Sequence, residues 1–322
     1  MSVGDPNGIG PEIALKTLLA YEGREDVRLT LFGPAAVMEL TAEQLGLTAL
    51  LHTSAVVATD ALSDSTFAPG RVCAEAGAAM IAAATAAILA TRRGEFDAVV
   101  AGPHHETSVH LAGIPFSGYP SLVARVCGQS EDSVFLLLVG GGLNIVHATL
   151  HESVHHALAR LTPMLVEQAT LAGVRAMQRL GVAAPRVGLF GINPHAGENG
   201  LFGDEDERIT RPAAERLRVN GLQVDGPLGA DSLLAERRHD LYVAMLHDQG
   251  HIPVKLLSPK RASALSIGAD VILSSVGHGS AMDIAGRSIA NASAMIDAVA
   301  RLAAVPTPTE ISNDALHQDR RQ

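Results

Sequence analysis

Residues 4–21, GDPNGIGPEIALKTLLAY, run from a glycine-rich turn straight into an apolar segment of helical period. Outward from that turn, the two periods alternate. Residues 27–32 read as a strand, 35–45 as a helix, and 74–92 as a long helix leading into the short strand FDAVV at 96–100. Such alternation predicts an α/β fold with helices covering a sheet. Residues 134–139 and 144–149 are two further strands, separated only by GGGL at 140–143. That connection is a tight turn, too short for a crossover helix, so the pair should be antiparallel and the sheet mixed. Helices are predicted over 161–180, 212–219 and 291–302, and strands over 187–192, 242–245 and 271–274. No internal repeat is present, and the polar end after Pro306 should be loosely attached.

Composition bounds the function. The chain has 322 residues, 47% of them hydrophobic, enough for one large α/β unit or two lobes. A formal charge of -10 with no dense Lys/Arg block argues against a nucleic-acid partner. Cys73 and Cys127 are too few for a disulfide framework and lack the spacing of a thiolate zinc site. The start, MSVGDPNG, lacks a basic region followed by an apolar stretch, and the apolar run 78–90 is short for a membrane helix. A cytoplasmic protein without a membrane partner is expected.

Chemistry-bearing residues gather in five places. Gly4, Asp5, Asn7, Gly8 and Gly10 precede a helix start, where glycines permit close approach of a ligand and free amides favour anions. The spacing is not the usual dinucleotide fingerprint, and the same glycines could simply shape a turn. His147, His151 and His155 cluster after one strand. His195, in GINPHAGENG, and His247 with Asp248, in YVAMLHDQGH, follow two others. Polar residues crowded at strand exits are well placed for a site. Neutral imidazoles suit a metal such as zinc, with a nearby carboxylate to orient a ring, but periodicity alone does not choose among these histidines. Finally, HGSAMDIAGRSIAN at 278–291 offers small residues for close contact, with Asp283 and Asn291 as candidates for ribose or adenine.

GDPNGIGPE, GIPFSG, INPHAGE, GPLGAD, MLHDQG and HGSA occur in an order that resembles the 4-hydroxythreonine-4-phosphate dehydrogenase family over nearly the whole length. The first and last motifs also resemble the cofactor loops of isocitrate and isopropylmalate dehydrogenases. The resemblance implies a two-lobed α/β fold with mixed sheets and an interlobe cleft. It places a cofactor-side lobe at 1–118 plus 265–322 and a metal, substrate and dimerisation lobe at 119–264. It implies His151, His195 and His247 as ligands of a divalent metal, Zn²⁺, shared across a homodimer. Lys255 becomes a substrate contact, with Asp231 and Asp248 near the chemistry. The cofactor is expected to be NAD, held by Gly4, Asp5, Asn7, Gly8, His278, Gly279, Ser280, Asp283 and Asn291.

The sequence departs from that family where a phosphorylated substrate would sit. Gly118 is followed by Tyr119, Pro120 and Ser121 in place of His-Thr-Glu, and the family's binding Asn and Arg fall on Ala264 and Leu273. The usual His-Lys pair becomes His105 and Glu106. Losing cations and gaining an acid argues against the same phosphate pocket. Residues 102–122, 145–154, 240–257 and 262–287 instead resemble the terephthalate cis-dihydrodiol dehydrogenase branch. That likeness implies NAD-dependent, metal-assisted oxidation of a dicarboxylate cis-dihydrodiol, with loss of carbon dioxide to give protocatechuate. Asp248, Asp231 and Lys255 are the catalytic candidates. Ser117, Tyr119, Ser121, Arg125 and Lys255 are the candidates for substrate binding. The alternatives are 4-phosphohydroxythreonine oxidation and a nonenzymatic, metal-dependent acid-binding protein.

Overall fold

The structure is a computed structural model that describes residues 1–59, 67–259 and 261–308. The chain divides into two units, Met1–Cys127 with the residues from Leu273 onward, and Gly128–Ile272.

The first unit begins with an extended segment at Ser2 and the helix α1 (Gly10–Ala20). Then follow β1 (Thr30–Gly33), α2 (Ala35–Leu45), α3 (Thr48–Thr53), β2 (Ala55–Ala58), α4 (Ala74–Arg92), β3 (Val99–Ala101), α5 (Glu106–Leu111) and α6 (Tyr119–Cys127). β1 and β2 pair in parallel, and Ser2 bridges both Phe32 and Ala101. The N-terminal segment therefore lies between β1 and β3. α4 is long and apolar enough to cross a membrane by length and composition. Here half of its apolar window is buried, against α5, α6, β1 and β3, as in a core helix.

The second unit opens with β4 (Phe135–Gly140) and β5 (Leu143–His147), which pair antiparallel. Gly141 and Gly142 adopt φ of 61° and 77°, the left-handed pair that a two-residue hairpin needs. The expected tight turn and mixed sheet are thus present. α7 (Val154–Arg160), α8 (Pro163–Arg179), β6 (Val187–Phe190), α9 (Arg211–Val219), β7 (Val224–Leu228), α10 (Ala230–Glu236), β8 (Leu241–Ala244), α11 (His247–Leu257) and β9 (Ser263–Ile267) complete it. The strands lie in the order β9-β4-β5-β8-β6-β7. β8 runs parallel to both β5 and β6. α8 packs on β4, β5, β8 and β9, while α11 packs on β4, β5 and β8. Leu138, Ile145, Phe190, Leu233, Tyr242 and Val254 form one buried apolar cluster of this unit.

The chain then returns to the first unit with β10 (Leu273–Val276), parallel to β3, and α12 (Ser293–Ala303). Met295, Ile296 and Val299 of α12 join Val3, Ile13 and Leu15 in one core cluster. The unit boundaries fall after the 118/119 and 264/265 divisions anticipated from the resemblance. α6 packs on α4, and β9 pairs with β4, so each carries the boundary past itself. The polar end beyond residue 308 lies outside the described residues.

Candidate functional site

Because β5, β8 and β6 are parallel neighbours, the segments leaving them emerge at one edge of the sheet. Three side chains stitch these exits together. Thr149 donates its hydroxyl to the Met245 carbonyl at 2.7 Å. Gln249 accepts from the amides of Met245 and Leu246 at 2.9 and 3.0 Å and donates to the Gly191 carbonyl at 2.9 Å. Asp206, fully buried, accepts from the amides of Ile192 and Asn193 at 2.8 and 2.9 Å and from the Thr210 hydroxyl at 2.7 Å. The loop so anchored contains His195, Ala196, Glu198 and Asn199, all at positive φ between 45° and 56°. Non-glycine residues in that region carry strain that surrounding contacts must hold.

Four imidazoles crowd this edge. His147, at the end of β5, is 2% exposed. Its Nδ1 lies 3.3 Å from the Leu136 carbonyl, which can only accept, so Nδ1 carries the proton. Burial, followed by the neighbouring His251, lowers its pKa to about 3, so the ring is neutral with its lone pair on Nε2. That Nε2 meets Nδ1 of His251 at 3.2 Å, and the same Nδ1 lies 3.2 Å from the His247 carbonyl. Burial, then His247, lowers the pKa of His251 to about 4. His251 and His247 stack at 3.7 Å, and His151 lies 5.4 Å from His247 between ring centroids. His247 Nδ1 pairs with the exposed Asp248 carboxylate at 2.7 Å. His247, His251 and Lys255 recur every four residues of α11 and so share a face. Lys255 is exposed, and its charge helps to depress His251.

The metal expectation requires correction. Among the described residues, no group of three or more His, Cys, Asp or Glu side chains is placed to hold a metal ion. His151 and His247 are neighbours, but the side chain of His195 is 74% exposed on its own loop, with Nδ1 3.6 Å from Glu198. In the rest of the cluster, Nδ1 of His147, His247 and His251 faces Leu136, Asp248 and another imidazole instead of converging on one point. The reading of the chain as a metal-dependent, zinc-binding enzyme with His151, His195 and His247 as ligands is overturned on this finding.

The candidates for substrate binding divide. Tyr119 is buried at 2% exposure, and its phenol donates to the Gly102 carbonyl at 2.7 Å. Ser121 is buried too, donating to Gly118 and accepting from the Ser117 amide. Arg125 is exposed and donates to the Pro115 carbonyl at 2.5 Å. Tyr119, Ser121 and Arg125 thus brace the 115–121 turn, and Ser117 is exposed on it. His105 caps α5 through the Ser108 amide, and Glu106 begins that helix. Asp231 is exposed in the first turn of α10.

In the first unit, the glycine turn is spent mostly on the protein itself. A Cβ on Gly4 would lie 2.4 Å from the Pro103 carbonyl oxygen, and one on Gly8 2.7 Å from Ser280, so chain segments occupy the space that a cofactor was expected to take. Asn7 is fully buried, donating to Arg71 O and accepting from the Ala68 amide. Asp5, also buried, accepts from the Asn7 amide, and burial raises its carboxyl pKa. Glu12 and Lys16 form a buried ion pair at 2.7 Å. Glu12 accepts from the Ala290 amide and Lys16 donates to the Ala290 carbonyl, both at 2.8 Å, clamping the 278–291 segment to α1. Ser280 is buried, with its carbonyl taken by the Ile9 amide, and Asn291 caps the entry to α12 through the Ser293 amide. The accessible members of the anticipated set are His278, Gly279, Asp283 and Asn291, and Gly279 faces open space. A small pocket of this unit is lined by Pro6, Gly8, Pro11, Phe67, Gly286 and Ser288.

Sequence reading weighed His147 and His251 without choosing them, and missed Asp206 and Gln249 as parts of the site. The DQGH spacing offered a signal for His251, one helical turn after His247. Nothing local marked Asp206, whose partners lie 13 and 14 residues away.

The fold is that of the β-decarboxylating dehydrogenases. A structure of such an enzyme from Thermococcus kodakarensis superposes with a TM-score of 0.50 at 18% identity, over 94% of this chain and 81% of that one. The chain belongs to the family described as pyridoxal phosphate biosynthetic protein PdxA, whose model matches residues 23–302. Within it, the chain is 56% identical over 307 residues to a 1,2-dihydroxy-3,5-cyclohexadiene-1,4-dicarboxylate dehydrogenase of a Comamonas species, covering 95% of this chain and 97% of the relative. It is 47% identical to a terephthalate 1,2-cis-dihydrodiol dehydrogenase from Burkholderia xenovorans LB400, with a TM-score of 0.73 and coverage of 94% and 96%.

Proposed function

We propose that this protein is an NAD-linked dehydrogenase that oxidises the cis-dihydrodiol of terephthalate and releases protocatechuate and carbon dioxide. The observation that carries the reading is the 56% identity, over almost the full length of both chains, with a dehydrogenase of that dicarboxylate dihydrodiol. The nicotinamide, when bound, supplies the acceptor for the hydride. The protein supplies an edge of imidazoles for the hydroxyl and, in Lys255, a cation on the same face of α11 for a carboxylate. Asp248 holds His247 by its Nδ1, which leaves Nε2 of that ring to face a polar ligand. Oxidation places a ketone β to one carboxylate, and loss of carbon dioxide then aromatises the ring. In the first unit, His278, Gly279 and Asp283 are the residues assigned to the cofactor.

A homodimer belongs to the same reading. Val154 and Leu158 stand one turn apart on α7, as do Ile252 and Leu256 on α11, and all four are exposed. Apolar side chains in such rows suit a second copy. Sedimentation of a fully active monomer at assay concentration would reject it. A cytoplasmic location is likewise assigned, supported by the burial of α4 as a core helix.

The testing assay follows NADH formation with the dihydrodiol and with 4-phosphohydroxythreonine, identifying products. Decarboxylating turnover of the dihydrodiol with a kcat/KM at least a hundredfold higher supports the proposal. Preference for the phosphorylated substrate overturns it.

A further inference from the structure

The proposed reaction has an unusual proton balance. The dihydrodiol dianion plus NAD⁺ gives the protocatechuate monoanion, carbon dioxide and NADH, with no net proton released or consumed. The ring hydroxyl loses its proton as the C–H electron pair leaves as hydride to the nicotinamide. When the C–C bond to the carboxylate breaks, its electron pair forms the ring double bond and the ketone oxygen becomes an enolate. That oxygen, the same atom, then takes a proton. One neutral base that stays beside a single oxygen can therefore take the proton and give it back.

We propose that His251 Nε2 is this base and that His147 is its positioning residue. Nδ1 of His251 faces two groups that can only accept, the lone pair on His147 Nε2 and the His247 carbonyl, each at 3.2 Å. Nδ1 must therefore carry the ring proton, which leaves the lone pair on Nε2. His147 is held in the matching tautomer by the Leu136 carbonyl at 3.3 Å. The order is thus Leu136 carbonyl, His147, His251, with each proton pointing the same way. Stacking on His247 at 3.7 Å and 11° fixes the plane of the His251 ring. Gly250 makes the arrangement sterically feasible, because a Cβ there would fall 2.2 Å from His147 Nε2. Taking up a proton makes His251 an imidazolium without breaking its bond to His147. His147, the buried partner, keeps its proton throughout.

The inference rests on the proposed reaction, but half of its test does not. Ring-¹⁵N spectra of histidine-labelled protein without ligands should show His251 protonated on Nδ1 and bare on Nε2 at pH 7. The His147→Leu variant, which removes the acceptor, should shift His251 toward a mixture of tautomers. His251→Gln should lower kcat about 10²- to 10⁴-fold, as for loss of a general base, with KM for NAD⁺ changed less than threefold. His147→Gln, which still offers an acceptor oxygen, should recover at least tenfold in kcat over His147→Leu. If the leucine variant fails to fold, the spectra of the intact protein and the His251→Gln kinetics decide alone. A proton on His251 Nε2, or full turnover by His251→Gln, overturns the proposal. A wild-type protein that forms no NADH from the dihydrodiol overturns the reaction, while the tautomer result still stands or falls separately.

Discussion

The side-chain amide of Gln249, on α11, donates to the carbonyl of Gly191 at the exit of β6, 2.9 Å away. Its oxygen meanwhile holds the two amides that follow β8. One side chain thus registers two strand exits against each other. At about 1 kcal/mol per bond, Gln249→Ala should cost about 2–3 kcal/mol in urea unfolding. Gln249→Glu should lose about half as much, because a carboxylate keeps the acceptor but cannot donate to Gly191. Equal losses in the two variants would show that the bonds from the Met245 and Leu246 amides contribute little.

The Glu12–Lys16 pair invites a double-substitution test. Both groups are buried, so Lys16→Met strands a carboxylate and Glu12→Leu strands an ammonium. Each single change should destabilise by about 3–5 kcal/mol, whereas the double change should cost less than either. Additive losses in denaturant unfolding would count against this account.

Acid should loosen the fold through the imidazole pair. His147 and His251 have folded pKa values lowered to about 3 and about 4 from an ordinary value of 6.5. Between those limits the unfolded chain binds more protons, so stability is fully present above about pH 6.5 and declines as pH falls. The fall should be visible as a lower Tm between pH 6.5 and 5, before ordinary carboxylates titrate. A His147→Gln protein should show a shallower slope over this window. An unchanged slope would mean that the buried ring does not set it.

Tyr119→Phe separates a bracing phenol from a substrate contact. The hydroxyl is committed to the Gly102 carbonyl, so its removal should lower stability by about 1 kcal/mol. NADH formation should stay within about twofold of the parent, since each 1.36 kcal/mol of barrier is a factor of ten. A hundredfold loss in kcat/KM with an unchanged Tm would return Tyr119 to the substrate pocket.

Periodicity found the alternating α/β pattern, the GGGL hairpin and the long helices, because each depends on neighbours within a few residues. It missed β2, β7 and β9, whose short runs gain their strand character from pairing across the chain. The strand exits carrying His195 and His247 were visible, but the company each histidine keeps was not. His147 stood apart only as one of several histidines, and its buried contact with α11 depends on Gly250, a glycine with no special spacing. Asp5, Asn7 and Gly8 looked ligand-ready by residue type. Their partners, Ser280 and the 68–73 segment, are distant in sequence, and tertiary packing had already claimed them.

The first unit is assembled from two stretches of chain, with the whole of the second unit encoded between them. Translation therefore delivers Gly128–Ile272 in full before it delivers β10 or α12. Domains generally fold as units, earliest first on the ribosome, and here the earliest-made segment must wait. Until Ala290 emerges, Lys16 and Glu12 lack the backbone groups they clamp, and Ile13 lacks the cover of Met295 and Val299. The nascent N-terminal half thus keeps this part of its apolar core uncovered until α12 is made.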